Sequence, residues 1–309
     1  MTIALYLPTL NAAQSVPRIT ETLVAQSLAG LTCIAIDSNS DDDTRELLAA
    51  AGFSVHRIER CTFNHGATRQ LAVELCPDAD ILIFMTQDAI LASPDSLQRL
   101  LDTFADPLVG AAYGRQLPAT DATPIAAHAR LFNYPPQSYV RDKSDIPRYG
   151  IKAAFLSNSF AAYRRSALME VGGFPTTVIL SEDTMVAAKM LQAGWKLTYC
   201  AEATCFHSHN YSMTREFQRY FDIGVFHGRE PWYIATLGKA EDEGLRFVRS
   251  ELHYLRKKSP SLIPSALLRT LFKFCGYKLG RMERFLPALL KQRLSMNKGY
   301  WADIKPTPH

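Results

Sequence analysis

The stretch "ILIFMTQDAIL", Ile81 to Leu91, decides the fold. Five consecutive apolar residues followed by polar ones read as a strand buried on both faces, the pattern of a parallel, helix-covered sheet. The run then passes through Thr86 and Gln87 and puts a carboxylate, Asp88, at the strand's end. The same grammar appears upstream. "IALYLP" (3–8), "LTCIAID" (31–37) and "FSVHRI" (53–58) are strand-like. Between these runs lie helical stretches from Val16 to Ser27, through "RELLAAAG" closed by Gly52, and through "HGATRQLAVELC" (65–76). This alternation predicts an α/β, Rossmann-like fold with a mostly parallel central sheet flanked by helices. Ligands of such sheets bind beyond the carboxyl ends of the strands. That rule gathers Pro8 and Thr9, Asp37 and Ser38, and Gln87 and Asp88 along one rim.

Composition excludes several classes. With 309 residues there is material for a large domain and an extension. The six cysteines show no metal-knuckle spacing and are expected as reduced core thiols of a cytoplasmic protein. "MTIALYLPTLN" lacks a basic segment ahead of its apolar run and reads as a first strand, not a signal peptide. No apolar run reaches the roughly 18 residues needed to span a bilayer. The net charge of +4 hides an asymmetry: residues 1–245 carry 20 Lys/Arg against 27 Asp/Glu, and residues 246–309 carry 14 against 3.

Individual residues allow two readings each. Asp37, ending its strand before "SNSDDDT", can accept from the imide of a pyrimidine, with Ser38 and Ser40 bonding ribose or backbone, or can cap the next helix. Gly66 at a helix start permits close approach of a phosphate, and Arg69 one turn on can reach base or phosphates, or sit exposed. Asp88 is a cation ligand or a turn residue. His207 and His209 in "CFHSHN" are further metal or phosphate ligands, or a packed pair. "SEDTMVAAKMLQAG" is a helix with Ser181 as N-cap and Gly194 beyond its end, so Glu182 and Asp183 lie in its first turn. Acids are favoured there by the helix dipole alone. Arg115 and Gln116, after the strand "VGAAYG", and Asn158 are candidate ligand contacts, and "VGGFP" (171–175) reads as a flexible loop admitting substrate.

Taken together, "LPTLN", "IDSNSDDDT", "TQDA", "GGF" and "SED" resemble the family-2 glycosyltransferases. "NHGATRQLA", "YGRQLP", "FNYP", "SNSFAAYRRSALMEVGGFP" and "HSHNYSMTREFQRYFDIGVF" are similar to the bacterial rhamnosyltransferase branch, over about residues 3–235. The resemblance implies a GT-A fold over residues 1–235, with a nucleotide-binding half (1–115) and an acceptor half (116–235). It also implies inverting transfer in surface-polysaccharide (O-antigen, lipopolysaccharide) synthesis. The donor would be dTDP-L-rhamnose, or else a UDP-sugar, with a lipid-linked or oligosaccharide acceptor and Mg2+ or Mn2+. A non-catalytic, nucleotide-sugar-binding scaffold is the competing class. The family's pyrimidine-binding Asp falls on Asp37, its metal-binding Asp on Asp88 and its general base on Asp183, with Glu182 beside it. Where the family usually offers Asp-x-Asp, this chain has Thr86-Gln87-Asp88, leaving fewer protein ligands for the cation.

The remainder, residues 236–309, is expected as a basic helical extension. From Leu267 to Leu286 apolar residues recur at helical spacing, with Arg269, Lys273, Arg281 and Arg284 assigned to the opposite face and Gly276 and Gly280 as interruptions. Such a helix can lie on the anionic inner face of the cytoplasmic membrane, or form a homo-oligomer interface. No nucleic-acid motif accompanies the charge.

Overall fold

A computed structural model describes residues 1–238 and 241–301. The first half alternates β1 (Ile3–Thr9), α1 (Val16–Val24), β2 (Leu31–Asp37), α2 (Thr44–Ala50), β3 (Ser54–Arg57), α3 (His65–Leu75) and β4 (Ile81–Met85). Next come β5 (Ile90–Leu91), α4 (Ser96–Asp102), β6 (Val109–Leu117), α5 (Pro124–Asn133), β7 (Tyr139–Arg141) and α6 (Ile146–Tyr149). β8 (Phe160–Arg164), α7 (Arg165–Glu170), α8 (Glu182–Ala193) and β9 (Lys196–Phe206) complete the sheet-bearing part. Helices follow: α9 (Met213–Arg229), α10 (Pro231–Leu237), α11 (Glu241–Lys258), α12 (Ile263–Arg281) and α13 (Ala288–Leu294).

The strands form one sheet in the order β3-β2-β1-β4-β8-β6-β9-β5, with β7 added to β9. It is parallel through β3-β2-β1-β4 and mixed beyond, because β8 runs antiparallel to both β4 and β6 while β6 and β9 are parallel. β4 is buried on both faces. Leu82 and Phe84 join one core with α8 and α9, while Ile81, Ile83 and Met85 join the other with α1 and α4. That double burial is why its sequence is a continuous apolar run and not an alternating one.

Register delivers the site. Thr9 lies opposite Asp37 at the ends of β1 and β2. Ile90 of β5 pairs with Phe206 of β9, and Leu117 of β6 pairs with the same Phe206. Asp88, Gln116 and His207 flank these pairings and so arrive together from three separate chain segments.

Several expectations change. The first helix stops at Val24, not Ser27. Cys61 and Cys275 are exposed, so they are not core thiols. "VGGFP" is no loose loop: Gly172 and Gly173 turn with positive φ, and Gln70 Oε1 accepts the Phe174 N–H at 3.0 Å. Phe174 then packs edge-on against Phe84 and Tyr163.

The extension is built differently from an interrupted amphipathic helix. Gly276 and Gly280 face α9, where a Cβ on Gly280 would lie 2.0 Å from the Phe221 carbonyl oxygen and one on Gly276 2.5 Å from that of Phe217. The glycines are thus what allows two helix backbones to touch. Arg269 and Lys273 point into the same seam and bind Glu216 of α9 at 3.0 and 3.3 Å. Two of the four cations assigned to an outer basic face are therefore internal. Residues 302–309 of the extension lie outside the described residues.

Candidate active site

At the end of β1 and β2, Asp37 is fully buried. Its carboxylate accepts from the Thr9 hydroxyl at 3.1 Å, from the Ser40 backbone N–H at 2.8 Å and from the Ser40 hydroxyl. Asp37 neither caps α2 nor lines open space; it organises the strand-end loop from behind. In front of it is a hollow of about 150 Å³ lined by Pro8, Thr9, Leu10, Ser38, Arg60 and Phe63. Arg60, unmarked by any motif, binds the Asn39 carbonyl at 2.9 Å and the Asp41 carboxylate. Asn39 and Asn11 hold positive φ at this rim, conformations that asparagine tolerates better than most residues. Gln87 anchors the neighbouring loop by accepting from the Leu10 N–H at 2.8 Å.

A second cluster sits beyond β4. One carboxylate oxygen of Asp88, His207 Nε2 and His209 Nδ1 approach at 3.4 and 3.6 Å, and the three donor atoms lie within 4.8 Å of one another. Such separations suit atoms around one ion with bonds of about 2.0–2.2 Å. The tautomer of His207 can be read from its neighbours. Arg130 can only donate, so the Gln116 atom it binds is the amide oxygen, and that oxygen also takes His207 Nδ1–H at 2.8 Å. Gln116 Nε2 donates to Ser157 Oγ at 3.0 Å, consistent with that orientation. His207 Nε2 is thereby left facing the Asp88 carboxylate. That nitrogen can donate to the carboxylate or, without a proton, share a divalent cation with it and with His209, so the residues fit such an ion. Burial opposes ionisation of Asp88, but the His207 contact, the Thr86 hydroxyl and His209 outweigh it and hold the carboxyl well below the usual range. Burial, then the adjacent His207 ring, bring His209 down to about 4 and keep it neutral. Thr86, where the family pattern has its first Asp, donates to Asp88 at 2.6 Å and orients it.

The third cluster opens α8. Ser181 is the N-cap residue, as expected, but it takes the left-handed conformation, φ 64°, and its side chain makes no cap hydrogen bond. Glu182 turns inward, is buried, and accepts from Arg69 Nη1 at 2.7 Å, with Asn158 Nδ2 at 3.5 Å. Asp183 is only half-buried and accepts from the Asn158 backbone N–H at 3.2 Å and the Thr184 N–H at 2.8 Å. Burial, then the negative charge of Glu182, raise Asp183 to about 7, although Arg69 pulls the other way. Burial also opposes the charge on Glu182, but Arg69 and then His65 overcome it and hold that group down. Neighbouring carboxylates driven apart in this way mark a proton-accepting site.

Several assignments made from the sequence need correcting. Glu182 does not face the open site: its carboxylate is buried and occupied by Arg69. Arg69 cannot reach base or phosphates: it is 5% exposed and bound to Glu182 and the His65 carbonyl. Gly66 makes room for protein, not phosphate, since a Cβ there would lie 1.8 Å from the Pro175 carbonyl oxygen. Gln116 and Asn158 orient His207 and the acid pair instead of facing a sugar. Arg115 is half-buried beside them. Ser40, read as bonding ribose or backbone, accepts from the Asn11 backbone N–H at 2.8 Å. Arg60, Phe63, Arg130 and Ser157 were missed; each lies outside any recognisable spacing.

Residues 5–172 match the model of glycosyl transferase family 2. The chain belongs to that family. As a family-2 glycosyltransferase it is 50% identical, over 99% of its own length and 98% of the relative's, to the O-antigen chain rhamnosyltransferase RfbN of Salmonella typhimurium. It is 49% identical, over 88% and 86%, to the O-antigen chain rhamnosyltransferase WbaN of Salmonella anatum. Its fold is similar to that of the mannosyltransferase PcManGT from Pyrobaculum calidifontis, solved with GDP-Man and Mn2+, at TM-score 0.59 and 18% identity over 94% and 84% of the two chains. S. aureus TarS (1–349) is similar at TM-score 0.53 and 13% identity over 92% and 91%. At these identities the likeness is one of fold, and that fold is GT-A.

Proposed function

We propose that this glycosyltransferase moves L-rhamnose from dTDP-L-rhamnose, with inversion, onto a lipid-linked or oligosaccharide acceptor in O-antigen synthesis. It would work at the inner face of the cytoplasmic membrane. Support for the sugar is end-to-end similarity to two relatives named for rhamnosyl transfer. The observation that carries the mechanism is the split carboxylate pair: Glu182 held ionised by Arg69, Asp183 raised toward neutrality.

An acceptor hydroxyl is too weak an acid to attack unaided, so a base must take its proton as the new bond forms. Asp183 keeps some exposure and has a raised proton affinity near working pH. The Asn158 and Thr184 N–H groups fix its carboxylate, and Arg69–Glu182 fixes the turn beneath it. The hollow between Pro8 and Phe63 is the proposed seat of the pyrimidine, with Ser38 at its polar edge and Asp37 holding the loop. Asp88, His207 and His209 would hold Mg2+ or Mn2+; two imidazoles beside one carboxylate favour Mn2+. When bound, the cation neutralises charge on the departing diphosphate. Residues 1–235 form the proposed catalytic unit and 236–309 its extension.

Titrating dTDP and UDP with and without Mn2+, alongside turnover of dTDP-L-rhamnose, tests the reading. Metal-dependent binding of dTDP with rhamnosyl transfer is expected. Turnover only with a UDP-sugar would replace the donor, and nucleotide binding with no turnover of any donor would favour a scaffold.

A further inference from the structure

The glycine seam between α9 and α12 sends the wrong side of α12 outward for an ordinary surface helix. Leu267, Leu271, Phe274 and Met282 recur on that outer face at helical spacing, and the stripe continues into Phe285 and Leu289. Leu271, Phe274 and Met282 are 54–57% exposed, Phe285 66% and Leu289 75%. A continuous stripe of large apolar side chains is not what a solvated surface carries without a reason.

Charge selects the occupant. Lys278, Arg281 and Arg284 are exposed along the stripe. From Ile263 to Trp301 the one acid is Glu283, and it is buried and bound to Arg229 and Lys291 at 2.8 and 2.7 Å. The outer face therefore offers cations and no exposed carboxylate. A second copy docking face to face would set cation against cation. An anionic bilayer would accept the apolar side chains among its acyl ends and meet the cations with headgroup phosphates. Among the described residues no helix is long and apolar enough to cross a membrane, so the fit is to a surface.

We infer that α12 and the segment through α13 seat this protein on an anionic lipid surface, with the apolar stripe inserted and Lys278, Arg281 and Arg284 at headgroup level. This deepens the reading above, resting on it only for a lipid-linked acceptor. Arg269 and Lys273 take no part in it, because Glu216 holds them inside the protein.

The test is co-sedimentation of the full chain with phosphatidylcholine vesicles and with vesicles that also contain phosphatidylglycerol. Wild type should partition to the anionic vesicles, and Leu271→Ser/Phe274→Ser should weaken that by about tenfold or more. Lys278→Glu/Arg281→Glu should remove the preference for anionic lipid and its salt sensitivity. All three proteins should transfer sugar equally to a short oligosaccharide acceptor, so loss of lipid binding alone does not bear on the proposed reaction. The inference is overturned if wild type ignores both vesicle types, or if the Ser variant binds as wild type. It is equally overturned if light scattering shows wild type as a dimer that the Ser variant converts to monomer.

Discussion

The carboxylate at the end of β4 and the one at the start of α8 stand at the mouth of the same sheet, and their surroundings drive them in opposite directions. Asp88 is half-exposed and ringed by groups that favour its charge: a hydroxyl and two imidazoles. Asp183 has a negative neighbour and little solvent, with Arg69 claimed by Glu182. One is built to stay ionised and attract a cation; the other is built to want a proton. The same side-chain chemistry serves two purposes because one imidazole pair and one buried ion pair set the local field.

The largest expected effect separates the two directly. Asp183→Asn should lower kcat by roughly 10²–10⁴ while leaving Mn2+-dependent nucleotide binding intact. If titration calorimetry showed that binding lost as well, the two centres would not be divided in this way. Asp88→Ala should do the reverse first, weakening Mn2+-dependent binding of dTDP by about 10–100-fold. Unchanged, metal-independent binding in that variant would leave Asp88 a structural residue. Gln116→Ala should cost about tenfold in Mn2+ affinity, since Gln116 touches no ligand but fixes which His207 nitrogen carries the proton. An equal loss of nucleotide affinity without metal would instead mean that Gln116 shapes the pocket.

How much of this was readable beforehand divides along the same line. The strand end carrying Asp88, the alternating first half and the helix opening on Glu182-Asp183 are local patterns, and local patterns survive in sequence. The partners that give each acid its character are not local. Gln116 reaches His207 only through the β6–β9 register, Arg130 reaches Gln116 from α5, and Arg69 meets Glu182 across 113 positions. Glycines misled for a related reason. Gly66, Gly276 and Gly280 were read as openings or interruptions, whereas each is closed by another backbone that no single segment announces. The tail's helical periodicity was visible, but which side of α12 faced protein depended on α9.

The pH dependence sharpens the contrast with the smallest expected effect. A base must be ionised to accept a proton, so the rate should fall as pH drops through about 7, the level to which burial and Glu182 raise Asp183. Glu182→Gln removes the negative neighbour and frees Arg69 to act on Asp183, and both changes favour its ionised form. The acidic limb of the pH–rate profile should then move down by about one unit, so the variant keeps a larger share of its maximal rate at acidic pH. Stability moves the other way, because Arg69 is left buried without its partner at a cost of roughly 3–5 kcal/mol, measurable as a lower midpoint in urea. A merely structural Glu182 would give the second change without the first. An acidic limb that stays in place in a folded Glu182→Gln protein would therefore remove Glu182 from the control of Asp183, and leave burial alone as the reason this carboxyl holds its proton.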